Sequence, residues 1–351
     1  MTSNAIAPIA NHPVTGERLR VLDISFNYPH IAESYIDAEI RQLVALGAEV
    51  VAWSHVPAPA PGPTPPGVRS FVGVPLAQLV AEFKPHVVHF HWMLWGEDVL
   101  DSMHSMGLPV TVRVHTDSTR ERLQMYCAHP AVRRVYTYPM DDIRFDFQHD
   151  KCSPTPVVVS RPPDSLGVPR DRRLVLRAAS LSPRDQHEFV LLARKLPDFQ
   201  FVICMAENRH IGAQDTINAV FDASLPPIPN LQILWNVSPD EMARWYARAG
   251  IYLHTFPAGK IAAMPVSIGQ ALIAGCYTIV RNQPRLAAMI GNAGATYETY
   301  DDAVELIEQT QHWDDARWAA EENAARAEGE RYCADQSIRT MVNDWQDCLR
   351  S

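Results

Sequence analysis

Short apolar runs and amphipathic stretches alternate along this chain, stop, and then alternate again, and no other feature restricts the fold as much. Apolar runs read as strands at 20–24, 49–53, 87–91 and 109–115. Between them, 34–46, 76–83 and 97–106 have helical spacing; in the first, Ile36, Ile40, Leu43 and Val44 share one face. Strands that are apolar without alternation suit a parallel sheet covered on both faces. The pattern pauses over 152–171, where prolines and charges accumulate as in a linker. It resumes with strands at 174–179, 201–205, 231–235 and 251–255 and helices at 185–195 and 239–249. Ser238 followed by Glu241 predicts a capping box at the start of the last helix. The expectation is an α/β protein of two doubly wound domains facing across a cleft, with ligands at the carboxyl ends of the strands. The domains are read as 18–160 and 173–325, joined by a linker over 161–172. A helical segment over 326–351 is expected to cross back, and Trp313, Trp318, Tyr332, Met341 and Trp345 offer the apolar surface for packing. The proline-rich stretch from Pro57 reads as a stiff surface loop.

Composition narrows the function. A length of 351 residues fits about two domains, and 47% apolar with 20% charged residues is globular. A net charge of −9 without a Lys/Arg run interleaved with aromatics argues against nucleic acid. The N-terminus has no charged and then apolar leader, and no window is apolar enough to span a bilayer. The expectation is a cytoplasmic protein with at most peripheral membrane contact. Residues 118–135, with Arg120, Arg122, Arg133 and Arg134 but also Glu121, read as a solvated helix. The six cysteines form no CxxC pair and read as reduced, mostly structural thiols. No zinc site is expected, because the histidines and cysteines lack a closely spaced ligand cluster. His89 and His91 flank Phe90 and are read on opposite strand faces, so that at most one faces the cleft and one is a structural histidine.

The segment 256–280 reads as a loop entering a helix that runs into a buried strand. Ala258, Gly259, Ala262 and Ala263 leave room for backbone approach, and a helix starting near Pro265 aims free N–H groups at an anion. Gly275 ends the helix, and 276–280 suits a covered parallel strand.

This segment resembles the donor-sugar loop of the family-4 retaining glycosyltransferases, whose signature is Glu, seven residues, then Glu-Ala-Met-Ala-x-Gly. Gln270-Ala271-Leu272-Ile273-Ala274-Gly275 fills the second half, and Ala262 stands at the first Glu. The first half of the chain carries further matches to exopolysaccharide-type members. They are Phe26-Asn27-Tyr28-Pro29, Glu33-Ser34-Tyr35-Ile36 with Glu39-Ile40, the run from Lys84 to Trp92, and Val110 to Ser118. The matches keep the family's order over roughly 20–300. The resemblance implies a GT-B fold of two Rossmann-like domains. It also implies transfer from a nucleotide-diphospho-sugar to a carbohydrate, lipid-linked or small-molecule acceptor, with retention and without metal or other cofactor. His115 matches the histidine beside the transferred sugar, with Asp117 a candidate to orient or deprotonate the acceptor. The donor would lie on Ser180 and Arg184, with its base near Trp235, Asn236 and Val237. Its phosphates would meet Gly259, Lys260, Met264, Pro265, Val266 and Ser267, and its ribose Gln270. The acceptor would meet Tyr28, Glu33, Ser34, Tyr35, His91 and Trp92.

Several positions depart from the family. Ser180 and Asp185 stand where a basic pair neutralises the diphosphate, so Arg184, Lys260 or Arg177 would have to substitute. Gln270 can still accept from one hydroxyl and donate to another, whereas Ala262 cannot replace a carboxylate. Each site residue also has a structural reading: His115 as a strand-end histidine satisfied in its own loop, Glu33 as a cap, Asp117 as a turn residue, Lys260 as a solvated lysine. Two other functions therefore stand beside transfer. One is a non-catalytic GT-B protein binding a nucleotide, a glycan or a partner transferase. The other is a different GT-B enzyme, such as an epimerase or phosphorylase.

Overall fold

The computed structural model describes residues 10–350 apart from 116–118, 163–167, 181–182, 208–225 and 257–263, and omits the side chains of 180, 183–185, 334 and 336. The chain forms two compact units. The first comprises residues up to Pro29, Tyr35–Val158 and Ala334–Ser351; the second comprises His30–Ser34 and Val159–Cys333.

The first unit holds strands β1 (Arg20–Ser25), β2 (Glu49–Ser54), β3 (Arg69–Val72), β4 (Val87–His91), β5 (Val110–Arg113), β6 (Val132–Thr137) and β7 (Cys152–Pro154). They form one parallel sheet in the order β3-β2-β1-β4-β5-β6-β7. Its helices are α1 (Ser34–Ala45), which begins at the junction with the second unit, α2 (Leu76–Phe83), α3 (Glu97–Ser105), α4 (Arg120–Ala128) and α5 (Asp141–Phe145). The C-terminal helix α12 (Ala334–Arg350) also belongs to this unit. Alternation along the strands sorts the side chains. Leu22, Ile24, Val88, Phe90, Val110 and Val112 enter one core. Val21 and Val87 enter the other, with Ile36, Ile40 and Leu43 of α1 and Ile338, Met341 and Trp345 of α12.

The second unit holds β8 (Asp171–Ser180), β9 (Gln200–Ala206), β10 (Leu231–Trp235), β11 (Ala249–His254), β12 (Tyr277–Arg281) and β13 (Ala295–Tyr297). They are ordered β10-β9-β8-β11-β12-β13, and the order reverses between β8 and β11. Its helices are α6 (Pro183–Lys195), α7 (Pro239–Arg248), α8 (Val266–Ala274), α9 (Pro284–Ile290), α10 (Tyr300–Glu308) and α11 (Asp315–Gly329). The capping box on Ser238 and Glu241 forms as expected. Helix α8 starts after Pro265 and ends at Gly275, whose φ of 85° is the left-handed cap that glycine provides without strain. Six of its nine residues are buried, because α11 crosses it closely. A Cβ at Gly329 would lie 2.4 Å from the Ile273 nitrogen.

Two local readings are corrected. Residues 118–135 do not form one helix: α4 is followed by β6, whose Arg133 and Arg134 interrupt the apolar run that marks a strand. Short strands β3 and β13 were not expected from the sequence, the first being half-exposed and following the proline-rich stretch. The six cysteines are thiols rather than disulfides, with the Cys127 and Cys152 sulfurs 3.6 Å apart.

Candidate active site

Strand alternation places Asp23 of β1, His89 and His91 of β4, and Thr111 and Arg113 of β5 on the sheet face that α1 and α12 cover. Glu39 of α1 points into the same space, and these groups are at most 2% exposed. Arg113 Nε donates to Glu39 Oε2 at 2.9 Å. His89 Nε2 lies 2.9 Å from Glu39 Oε1, off the direction of a good hydrogen bond, while His89 Nδ1 meets Thr111 Oγ1 at 2.8 Å. His91 Nε2 meets Asp23 Oδ2 at 3.2 Å and is 3.9 Å from Glu39 Oε1. The reading of His89 and His91 on opposite faces is therefore wrong. Residues two apart share a face, and the two rings lie 4.9 Å apart.

The premise that no closely spaced ligand group exists is corrected as well. Asp23, Glu39, His89 and His91 bring ligand atoms within 4.8 Å of one another. Their charge is met internally. Burial would raise the Glu39 pKa, but Arg113, then His89 and His91, hold it well below the usual carboxylate range. Burial opposes a charge on His91, but Asp23 and then Glu39 override it and raise its pKa, while burial pushes His89 down. Asp23 and Glu39 thus face the Arg113 guanidinium and the His91 ring, whose protonated form they favour.

The network extends to His115. His91 Nδ1 is 3.4 Å from His115 Nε2, and His115 Nδ1 is 2.9 Å from the Tyr138 hydroxyl. His115 is held neutral, its pKa driven well below the ordinary value by burial and then by the charges of His91 and Arg113. In either tautomer, one His115 nitrogen is engaged by His91 and the other by the Tyr138 hydroxyl. Both nitrogens are thereby occupied. The ring also packs against Tyr35 and Trp92, each with its centroid 4.8 Å away. Trp92 sits at φ 68°, a left-handed conformation costly for a bulky residue, and its N–H donates to the Arg113 carbonyl at 3.0 Å.

The other acceptor-side candidates separate. Tyr28 is 2% exposed within the core, its hydroxyl without a partner. Glu33, in the short turn before α1, and Ser34, the first residue of α1, are half-buried and lie within residues assigned to the second unit. Tyr35, His91, Trp92 and His115 come together; Asp117 lies outside the described residues.

In the second unit, the start of α8 has no side-chain cap. Ser267 in its first turn donates to the Tyr252 hydroxyl, which donates to the Ala178 carbonyl at 3.3 Å. Met264 is buried, and Pro265 and Val266 are half-buried. Gln270 is engaged at both ends of its amide: it accepts from the Tyr246 hydroxyl and donates to Ser34 Oγ, each at 3.1 Å. Trp235 is half-buried on the core beneath it, Val237 is half-buried, and Asn236 is exposed at φ 50°. The Asn236 amide oxygen accepts from the Glu207 N–H at 3.0 Å. Gly259, Lys260 and Ala262 lie outside the described residues, as do the side chains of Ser180, Arg184 and Asp185.

Two residues the sequence did not single out, Tyr252 and His254, join Arg177 beside α8. Arg177 Nη1 donates to His254 Nδ1 at 2.5 Å and Nη2 to the Thr255 carbonyl at 3.0 Å. His254 is held neutral, its pKa pushed well below the ordinary value by burial and then by Arg177. The apolar run 251–255 that reads as a strand already holds this histidine at its carboxyl end, the only advance signal for it.

No family model and no curated protein sequence matches the chain. Solved structures do. Sucrose-phosphate synthase from Thermosynechococcus elongatus superposes with a TM-score of 0.72 at 13% identity, over 95% of this chain and 100% of that one. HepE of Anabaena, in complex with UDP and glucose, gives 0.67 at 13% identity, over 93% and 99%. AviGT4, a glycosyltransferase involved in avilamycin A biosynthesis, gives 0.67 at 13% identity, over 95% and 98%. The two parallel α/β units are thus those of the GT-B glycosyltransferase fold. Among the described residues no helix is long and apolar enough to cross a membrane.

Proposed function

We propose that this protein is a glycosyltransferase that moves a sugar from a nucleotide-diphospho-sugar to a carbohydrate, lipid-linked or small-molecule acceptor. The observation that carries the reading is the uncapped start of α8 beside the point where the second sheet reverses its strand order, within a fold matched along nearly the whole chain to glycosyltransferases. In doubly wound sheets, ligands bind outside the carboxyl ends of the strands at that reversal. Free N–H groups and the helix dipole there favour a leaving diphosphate as charge develops on it. A UDP donor is the first to test, since similar structures are described in complex with UDP or UDP-glucose.

On this reading the donor's base lies toward Asn236 and its phosphates toward Ser267. Tyr35, Trp92 and His115 of the first unit are the acceptor-side groups on this reading. We propose retention of configuration and no resident metal, with leaving-group charge held by the protein's own donors. Ring packing on His115 would position the sugar, because both imidazole nitrogens are bonded within the protein. We further propose a cytoplasmic location.

Occupied nitrogens on His115, an engaged Gln270 amide and alanine at 262 favour one second reading: a GT-B protein that binds a nucleotide or glycan without turnover. A calorimetric panel of UDP, GDP, ADP and TDP, followed by release of the nucleoside diphosphate from the matching sugar nucleotide, separates the two. Binding with turnover supports transfer, binding without turnover supports the second reading, and no binding at millimolar concentration rejects both as nucleotide readings.

A further inference from the structure

Arg177 is a buried cation of the second unit. It is 3% exposed, yet among the described residues no carboxylate pairs with it. Its partners are the Thr255 carbonyl, the neutral His254 ring, the Tyr252 hydroxyl and, at 3.5 Å, the Ala178 carbonyl, while its Nε has none among the described residues. Two other inward-facing arginines do meet a carboxylate: Arg113 pairs with Glu39 and Arg281 with Glu188. A buried charge without a counter-charge is strongly unfavourable unless an anion completes it.

Three further observations tie this charge to the start of α8. Arg177 lies on β8 beside β11, at the reversal of strand order, and its bond to Thr255 holds the chain where it leaves β11. Because Arg177 donates to His254 Nδ1, the neutral ring carries its proton on Nε2 and offers an N–H donor at the carboxyl end of β11. Tyr252 bridges the two elements, donating to Ala178, the neighbour of Arg177, and accepting from Ser267 in the first turn of α8. Guanidinium, imidazole and uncapped helix start are therefore held on one hydrogen-bonded chain.

We propose that Arg177, His254 and the start of α8 form a binding site for a phosphate or diphosphate ester, in which Arg177 supplies the positive charge absent at Ser180 and Asp185. The expected ligand, a nucleoside diphosphate, rests on the transferase reading above; the anion chemistry does not. Arg177 acts from beneath the site as a charge and positioning group, His254 as the direct donor.

The test uses the full chain and two probes, inorganic pyrophosphate and UDP, measured by calorimetry on the unsubstituted protein and on Arg177→Met, Arg177→Lys and His254→Gln. Arg317→Met on the exposed side of α11 serves as a charge control. Losing a charged partner should weaken pyrophosphate about 10- to 150-fold in Arg177→Met. Arg177→Lys should recover part of that loss, which a purely structural role would not produce, and His254→Gln should weaken binding about 2- to 10-fold. Should Arg177→Met not fold by circular dichroism, Arg177→Lys and His254→Gln carry the test. Pyrophosphate binding that depends on Arg177 while no nucleotide binds would sustain this site and reject the donor reading. UDP binding unchanged in these variants would sustain the donor reading and overturn this site, as would absence of pyrophosphate binding to the unsubstituted protein.

Discussion

Replacing Arg113 with methionine removes the guanidinium that faces Glu39 and leaves most of the apolar stem in place. Glu39 and Arg113 are 1% and 2% exposed, and their 2.9 Å contact is the shortest described ion pair that opposes two permanently charged groups in the first unit's interior. Breaking a buried pair from one side costs about 3–5 kcal/mol, because the remaining charge has lost both water and partner. Here the remaining charge is not isolated. His89 lies 2.9 Å and His91 3.9 Å from Glu39 Oε1, so an extra proton on His89 can neutralise it. Removing Arg113 also removes a cation that opposes this protonation. The penalty should therefore be near the upper end of that range at about pH 8, where His89 stays neutral, and smaller by about 1–2 kcal/mol at about pH 6. Glu39→Gln should be costly too, since it strands Arg113, whereas the double variant should lose less than the sum of the single ones by about 1–3 kcal/mol. Urea unfolding followed by tryptophan fluorescence at the two pH values measures all four proteins. Single variants that each cost under about 1 kcal/mol, or costs that add within about 0.5 kcal/mol, would refute the account of Glu39 and Arg113 as a mutually dependent buried pair.

Three further outcomes follow from the same coordinates. Gly329→Ala should destabilise the second unit by about 2–3 kcal/mol, because its new methyl meets the α8 backbone at Ile273 and must push the helix away; unchanged unfolding would contradict that crossing. His89, His115 and His254 are all held below the ordinary histidine value of 6.5, so below about pH 6.5 the unfolded chain takes up protons the folded one refuses. Stability should fall with acidification at up to about 1.4 kcal/mol per pH unit for each such histidine, while His91, whose pKa is raised, contributes the opposite sign; calorimetric midpoints that stay flat down to about pH 5 would reject this. Dialysis against EDTA should leave the thermal midpoint unchanged and elemental analysis should find no stoichiometric zinc, since a dication at Asp23, Glu39, His89 and His91 would have to displace the charges that already neutralise them.

The alternating architecture was readable because its strands are short apolar runs bounded by proline, glycine or charge. The strands at 87–91 and 231–235 and the helix at 76–83 have the expected limits, and Pro265 and Gly275 bracket α8. Where polar residues enter a strand the signal fails: Arg133 and Arg134 hide β6, and β3 offers too short and exposed a run. The buried network of the first unit was within reach of parity alone, since His89 and His91 are two apart and must share a face. Its partners were not, because Asp23, Glu39 and Arg113 meet them only through the order β1-β4-β5 and the packing of α1 on that sheet.

The contact between Arg177 and His254 illustrates the limit most clearly. These residues are 77 positions apart and become neighbours only because β11 pairs with β8 across the sheet reversal. A reading confined to matching positions looks for the lost charges at 180 and 185, or in the loop at 260, where basic side chains would be solvated. A strand interior next to the same loop can hold the charge instead, provided that backbone carbonyls and a neutral imidazole satisfy its donors. Burial then has a physical consequence: with less solvent screening, one guanidinium there exerts a stronger field at the α8 terminus than an exposed lysine would. The two alternatives differ in salt dependence. Pyrophosphate affinity governed by Arg177 should weaken only modestly between low and physiological ionic strength, whereas affinity governed by a solvent-exposed lysine or arginine should fall steeply and be insensitive to Arg177→Met.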